Sequence, residues 1–365
     1  MKYTLQGAVA FGLMASTALA GGIERSNQSV SVIFEEGSLI DLSFGSVDPS
    51  VSGTGVSVTP GTPSGDMADS YIQTGLAYKT DLNENLSFAL IYDQPFGANV
   101  SYPSASGYFA GGATAELNSK ALTGVLKYTT DNNISILGGL RYQTFQAEAS
   151  LPFVAGYTGS SSTDASVGYL VGVAYEKPEI ALRVALTYNS AITHDWTISE
   201  TGPGTATSAL QTETPQSLNL EFQSGIAKDT LVFGSVRWVD WSEFDITPPV
   251  YLGATTVPLV NFREDTITYT LGVGRRFNEN WSGAISFMHE PKVSGFSSNL
   301  GPTNGKSGIT VGATYKKDNM EITGGISHIW LGDATSTLAS IDPLTAASFT
   351  DNTAVGVGLK VRFRF

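Results

Sequence analysis

The sequence predicts an all-β fold: a transmembrane antiparallel up-and-down β-barrel of about 14 strands with a short N-terminal plug in its lumen. Three observations predict it. Apolar residues alternate with small or polar ones over repeated segments, the connections alternate long and short, and a secretory leader is followed by no apolar run of helix length.

The leader comes first. Residues 1–20 carry Lys2, an apolar stretch from Ala8 to Met14 and the small-residue ending Ala18-Leu19-Ala20, the pattern of a signal peptide cleaved after Ala20. That stretch is too short to span a bilayer, and no later run approaches the 18 to 20 or so apolar residues a membrane helix needs. Beyond the leader, 19 basic side chains face 33 acidic ones. Such acidity excludes nucleic acid as a partner, because phosphate binding needs clustered Lys and Arg. Forty glycines, only 15% charged residues and no cysteine are unusual for a secreted chain of this length. Without disulfides another device must hold it, and a closed ring of backbone hydrogen bonds suffices.

Strands follow from period-two alternation. At the C-terminus Val355, Val357, Leu359, Val361, Phe363 and Phe365 alternate with Gly356, Gly358, Lys360, Arg362 and Arg364. Similar dyads are Val167 to Tyr175, Ile180 to Tyr188, Leu218 to Phe222, Ile267 to Val273 and Ile309 to Tyr315. Each approximates the 9 to 11 or so residues with which a tilted strand crosses the hydrocarbon, and several end in the Tyr or Phe of an interfacial girdle. Fourteen segments are placed, at 39–52, 68–79, 86–101, 113–129, 134–149, 165–176, 179–197, 214–227, 230–245, 264–276, 281–296, 306–316, 320–331 and 351–365.

Long connections rich in Gly, Ser, Thr and Pro fall at 53–67, 102–112, 150–164, 198–213, 246–263, 297–305 and 332–350, with short turns between them. This asymmetry puts both termini on the short-turn side, as in bacterial outer-membrane barrels. A soluble β-sandwich or β-helix requires neither the alternation nor a final strand ending on Phe365. The organisation is therefore a leader at 1–20, a short plug at 21–38 and a barrel at 39–365. Phe365 is the feature by which barrel-assembly machinery would engage the chain. The expected location is the bacterial outer membrane, in contact with its lipid, as a monomer.

Several segments resemble the FadL-type long-chain fatty-acid transporter family, which includes TodX-like aromatic-hydrocarbon channels. They are Arg237-Trp238-Val239-Asp240-Trp241-Ser242-Glu243-Phe244, the stretch from Gly272 to Pro291, Tyr78 to Tyr102 with Tyr92-x-x-Pro95-x-Gly97, and Ile326 to Asp333 followed by Val355 to Phe365. The resemblance implies a 14-stranded barrel, an N-terminal hatch in the lumen and a kinked third strand that opens a gap in the wall. It further implies passive uptake of long-chain fatty acids or similar hydrophobic compounds, released sideways through that gap, with no cofactor. The hatch here is about half the family's usual length and lacks its Asn-Pro-Ala motif.

Pro95 cannot donate to a ladder and Gly97 relaxes the backbone beside it, so Asp93, Pro95, Phe96 and Gly97 are the candidate kink. Leu151, Pro152, Phe153, Val154 and Tyr157 form an apolar cluster on what should be a water-facing loop, a mark of binding surfaces. The alternative is that they only pack against neighbouring loops. Candidate ligand contacts are thus Leu151, Phe153, Val154 and Tyr157, joined by Phe34, Phe145, Arg141 and Arg183. An inward arginine near an apolar pocket can hold a carboxylate in a bidentate contact, although pairing with lumenal Glu221 or Glu321 is the plainer role. Catalysis fits poorly. Only His194, His289 and His328 are present, with no Gly-x-Ser-x-Gly elbow and no metal-ligand cluster. Two rivals are a diffusion porin for polar solutes and a lipid-modifying barrel enzyme using His194 as its base.

Overall fold

The computed structural model describes residues 22–295, 297–337 and 345–365, so the leader lies outside the described residues. Fourteen strand positions close into one antiparallel barrel. They are β1 (Leu39–Ser50), β2 (Tyr71–Asp81), β3 (Leu86–Asp93, then Gly97–Ser101), β4 (Thr114–Thr129), β5 (Ile134–Leu151) and β6 (Asp164–Lys177). There follow β7 (Leu182–Asn189, then Ile192–Thr201), β8 (Ala206–Thr214, then Ser217–Ala227), β9 (Thr230–Val239) and β10 (Thr266–Arg276). The last four are β11 (Trp281–Glu290), β12 (Lys306–Lys317), β13 (Met320–Leu331) and β14 (Thr353–Arg364). The ring closes where β1 pairs with β14 from Leu39↔Arg364 to Ser50↔Thr353. Closure leaves the wall strands almost no free edge, so nearly all their backbone groups are satisfied inside lipid.

Alternation decides which side chain meets which solvent. Val167, Tyr169, Val171, Val173 and Tyr175 are exposed on the outer wall of β6, and Val355, Val357, Leu359, Phe363 and Phe365 on that of β14. Their neighbours turn inward, where Asp41, Lys79, Arg141, Arg183, Arg237 and Arg362 are buried. The short turns use left-handed backbone at Asn133, Asp229 and Asp318, residue types that tolerate positive φ.

Four sequence-based strand assignments change, one of them only by ending early, the segment at 281–296 stopping at Glu290. The segments at 179–197 and 214–227 are not continuous: β7 breaks at Ser190-Ala191 and β8 at Pro215-Gln216, and their outer halves form a hairpin across the expected loop at 198–213. Proline at 215 supplies no ladder N–H, which explains the second break. The segment at 230–245 stops at Val239, and a 3₁₀ turn at Trp241–Glu243 carries Trp241 inward to 1% exposure. Above the wall, a short helix α1 (Pro249–Thr255) and a small sheet joining 53–55, 334–337 and 345–349 cover the opening.

Candidate functional site

The site is built around a break in one wall strand. β3 pairs with β2 only from Asp81↔Ser87 to Leu76↔Tyr92, and the second half of β3 forms its ladder with β4, with a single bridge from Val100 to Ala68 on the other side. Against β4, Asp93 faces Ala121 but Gly97 faces Asn118, so residues 94–96 oppose only 119–120. That extra residue is a β-bulge, and it bends β3 into the lumen. The edge of β2 from Tyr71 to Gly75 is left with β1 as its only strand partner. Higher up, the walls meet again where Asp69 N donates to Asn99 O at 3.3 Å. The result is a bounded gap between β2 and β3.

Backbone groups that leave a ladder need new partners in lipid. The hatch provides them. Arg25 N and Ser26 N donate to Pro95 O at 2.7 and 3.3 Å, and Gly97 N donates to Ile23 O at 2.8 Å. The inward bend is thus paired to the hatch in place of β2. Ser119 completes it: its hydroxyl accepts from Phe96 N at 2.7 Å, and its own N–H donates to Phe96 O at 3.1 Å. On the β2 side, Gln94 Oε1 accepts from Thr74 N at 3.0 Å. Gly97 makes room for Arg25, since a Cβ there would stand 2.5 Å from the guanidinium and displace it.

The hatch runs the length of the lumen despite its brevity. Its upper end packs Ile23 with Trp241 and Phe96. Below, Arg237 binds Glu24 and also donates to Asn219 Oδ1 at 2.6 Å, while Ser26 donates to Asp93 at 2.5 Å and Ser29 to Glu221 at 2.7 Å. At the lower end Ile33 and Phe34 are buried among Val125, Leu137, Leu170 and Ala185. Lys127 and Arg183 lie over the Phe34 ring, at 5.0 and 4.8 Å.

Glu35 closes this end, bound by Arg362 at 2.8 Å and Arg364 at 2.7 Å. Burial alone would raise its pKa, but the charge of Arg362 and the bonds from both arginines outweigh it and hold the carboxyl at about 2, below the ordinary 4.5. A depressed carboxylate contributes stability above its unfolded value and loses it as pH falls through the folded one. Protection of the amides at 31–36, measured against the intrinsic exchange rate at each pH, is therefore expected to fall progressively between pH 4.5 and pH 2. Full exchange already at pH 4 would contradict this anchor.

Above the hatch is an apolar cavity of about 180 Å³, lined by Ile23, Ala98, Leu117, Leu151, Phe153, Tyr157, Trp196, Ile198, Ile246, Tyr251 and Val257 among others. Three of the loop residues singled out from sequence, Leu151, Phe153 and Tyr157, are brought together here, while Val154 packs beside them. Phe145 lies fully buried in the adjoining cluster, 5.0 Å from Trp196 and 6.4 Å from Phe244. Arg141, Phe34 and Arg183 do not line the cavity. Arg141 bonds Thr123 at 3.0 Å, and the other two form the lower plug.

Sequence reasoning missed Trp196, Ile198, Tyr251 and Val257. For the first two a signal existed: Ile192, His194, Trp196 and Ile198 alternate with Thr193, Asp195, Thr197 and Ser199, which puts polar residues outward. A strand with that polarity stands in water above the lipid, its apolar face turned to the cavity. The roof is tied by buried Glu200, which accepts from Val250 N and Tyr251 N at 3.0 Å each and from Tyr157 Oη at 3.2 Å. Glu200→Ala leaves those donors unpaired and is expected to cost on the order of 3 kcal/mol. Limited proteolysis in detergent should then cut faster within 246–263; an unchanged rate would show that Glu200 does not hold the roof.

A second cavity, of about 210 Å³, lies between hatch and wall at the gap. Its lining includes inward Gln73, Gly75 and Asp93 and also Phe44, Leu76 and Leu359, which are exposed on the lipid side. His194 is fully buried: Nδ1 lies 2.9 Å from Asp164 and Nε2 3.2 Å from the Gln143 amide. With Nδ1–H donated to Asp164, Nε2 accepts from Gln143, which leaves no lone pair for a general base.

The chain matches the family model for the outer membrane protein transport protein (OMPP1/FadL/TodX) over residues 33–365. Its fold is similar to a FadL homologue of Pseudomonas aeruginosa, at 14% identity and TM-score 0.76, covering 97% of this chain and 100% of that one. It is also similar to the toluene transporter TodX of P. putida, at 13% identity and TM-score 0.67 over 98% of each chain. The toluene transporter TbuX of Ralstonia pickettii shares the fold at 13% identity and TM-score 0.63, over 98% of each chain. No curated protein matches. From the lower end of the hatch to Phe365, then, this is a member of the OMPP1/FadL/TodX family, an outer-membrane channel, not an enzyme, for hydrophobic small molecules.

Proposed function

We propose that the protein carries compounds with an apolar body the size of an aromatic ring or an alkyl segment, long-chain fatty acids among them, and releases them sideways through the β2–β3 gap. The observation that carries this reading is the lower cavity, whose lining is shared between inward and lipid-facing side chains. A solute there touches the bilayer without crossing the polar lower lumen. The upper cavity favours such a solute on size and polarity. An apolar cavity of roughly 150 Å³ suffices to bind benzene, and each buried methylene gains about 0.8 kcal/mol. Two structural neighbours are toluene transporters, and toluene is of this size. Transport is passive, driven by the concentration gradient and by partition into the membrane.

The test fills the upper cavity. Ala98→Phe, in cells that lack the native protein, is expected to lower uptake of toluene and of dodecanoate about tenfold, the equivalent of some 1.4 kcal/mol. Uptake equal to the parent's would remove the cavity from the route. If cells without the protein take up both probes at the normal rate, the transport reading itself fails.

A further inference from the structure

The lower cavity holds a charge that an apolar route does not use. Register places Gly75 of β2 opposite Ser43 of β1, and Ser43 opposite Lys360 of β14. One step along, Gly45 faces Gly358. All of these line the same cavity, so the wall between gap and Lys360 is nearly bare backbone. Hatch residues 24–32 form its other side.

Lys360 is 6% exposed. Among the described residues its Nζ makes no hydrogen bond, and the nearest carboxylate oxygen, Asp41 Oδ2, is 4.0 Å away. Asp41 is already taken by Arg362, which binds both its oxygens at 2.6 and 2.7 Å. The other cations of the lining are committed: Arg237 to Glu24, Arg25 to Asn99 and the Tyr71 ring, Lys306 to Glu290 at 3.4 Å. An ammonium that opens on the cavity with no hydrogen-bond acceptor of its own offers an anionic ligand a charge-assisted bond. Two strand spacings, about 10 Å, separate β14 from the gap at β2, where Phe44 and Leu76 face lipid.

Resting on the lateral-release reading, we propose that this groove binds a single-chain carboxylate amphiphile. Its carboxylate sits on the Lys360 ammonium beside the Ser43 hydroxyl, and its alkyl chain leaves through the gap over Phe44 and Leu76. The polar end is thus held in the lumen until the tail is in the bilayer.

Isothermal titration of the whole protein in a non-ionic detergent tests this with dodecanoate and with dodecanol as its uncharged counterpart. Lys360→Gln should weaken dodecanoate about tenfold or more, the worth of a charge-assisted hydrogen bond, and leave dodecanol unchanged. Lys360→Arg should retain dodecanoate. Unchanged dodecanoate binding in the Gln variant, or equal loss of both probes, overturns the assignment. So does displacement of bound dodecanoate by phosphatidylglycerol, which would give the site to a membrane lipid. Failure of the parent itself to import toluene or dodecanoate would sink the transport reading, whereas the titration would still report on the groove.

Discussion

Arg237→Ala is expected to open the barrel to ions: in planar bilayers the variant should conduct steadily where the parent is nearly closed. Arg237 is 5% exposed and grips the hatch through Glu24, while two further contacts tie it to the wall at Ser217 and Asn219. Removing one partner of a buried ion pair leaves the other charge uncompensated and costs about 3 to 5 kcal/mol. That penalty falls on Glu24, which is carried by the hatch and not by the wall, so the hatch moves before the barrel unfolds. The barrel itself has a continuous ladder elsewhere and should keep its thermal transition. Glu24→Gln combined with Arg237→Met removes both charges and is expected to return conductance towards the parent's. Conductance in the single variant no greater than the parent's would show that the hatch is held mainly by its lower plug at Phe34 and Glu35. A large steady conductance of the parent would instead support a diffusion porin.

The second large effect is expected from tying the gap shut. The chain contains no cysteine, so a pair introduced as Thr74→Cys and Gln94→Cys would be the only thiols. The Gln94 side chain already reaches across to Thr74 N at 3.0 Å. Bridging the two, by a disulfide or a short thiol cross-linker, should reduce uptake of dodecanoate and toluene at least tenfold, and reduction of the disulfide should restore it. Reversal in the same sample separates closure from misfolding. Gly97→Val is the single-site counterpart, because its side chain must push Arg25 off Tyr71 and Asn99 into the same space. Uptake that is equal in the bridged and reduced forms would rule out sideways exit at β2–β3.

Much of this was legible without coordinates. The 14 crossings and the lipid-facing parity follow from local pattern, because membrane outside and lumen inside impose a period of two on every strand. The apolar loop residues Leu151, Phe153 and Tyr157 stood out for the same reason, as apolar groups where water was expected. What alternation does not contain is the outcome of pairing between distant segments. Broken strands β7 and β8 read as continuous, since parity slips by one across Ser190-Ala191 without any loss of strand-forming residues.

Arg141 and Arg183 show the same limit at the level of sites. Sequence places both inside the barrel, and nothing local says that one faces Thr123 and the other Phe34. A ring of alternating strands is written in neighbouring residues, so the chain alone determined the barrel and its membrane. Which hatch backbone replaces β2 at the bend, which cations hydrogen-bond to carboxylates and which, like Lys360, stand only at ion-pair distance from one were decided by tertiary structure. Those matters depend on register and on a one-residue bulge, which bring together residues such as Ile23 and Gly97 or Asp41 and Arg362 that are remote along the chain.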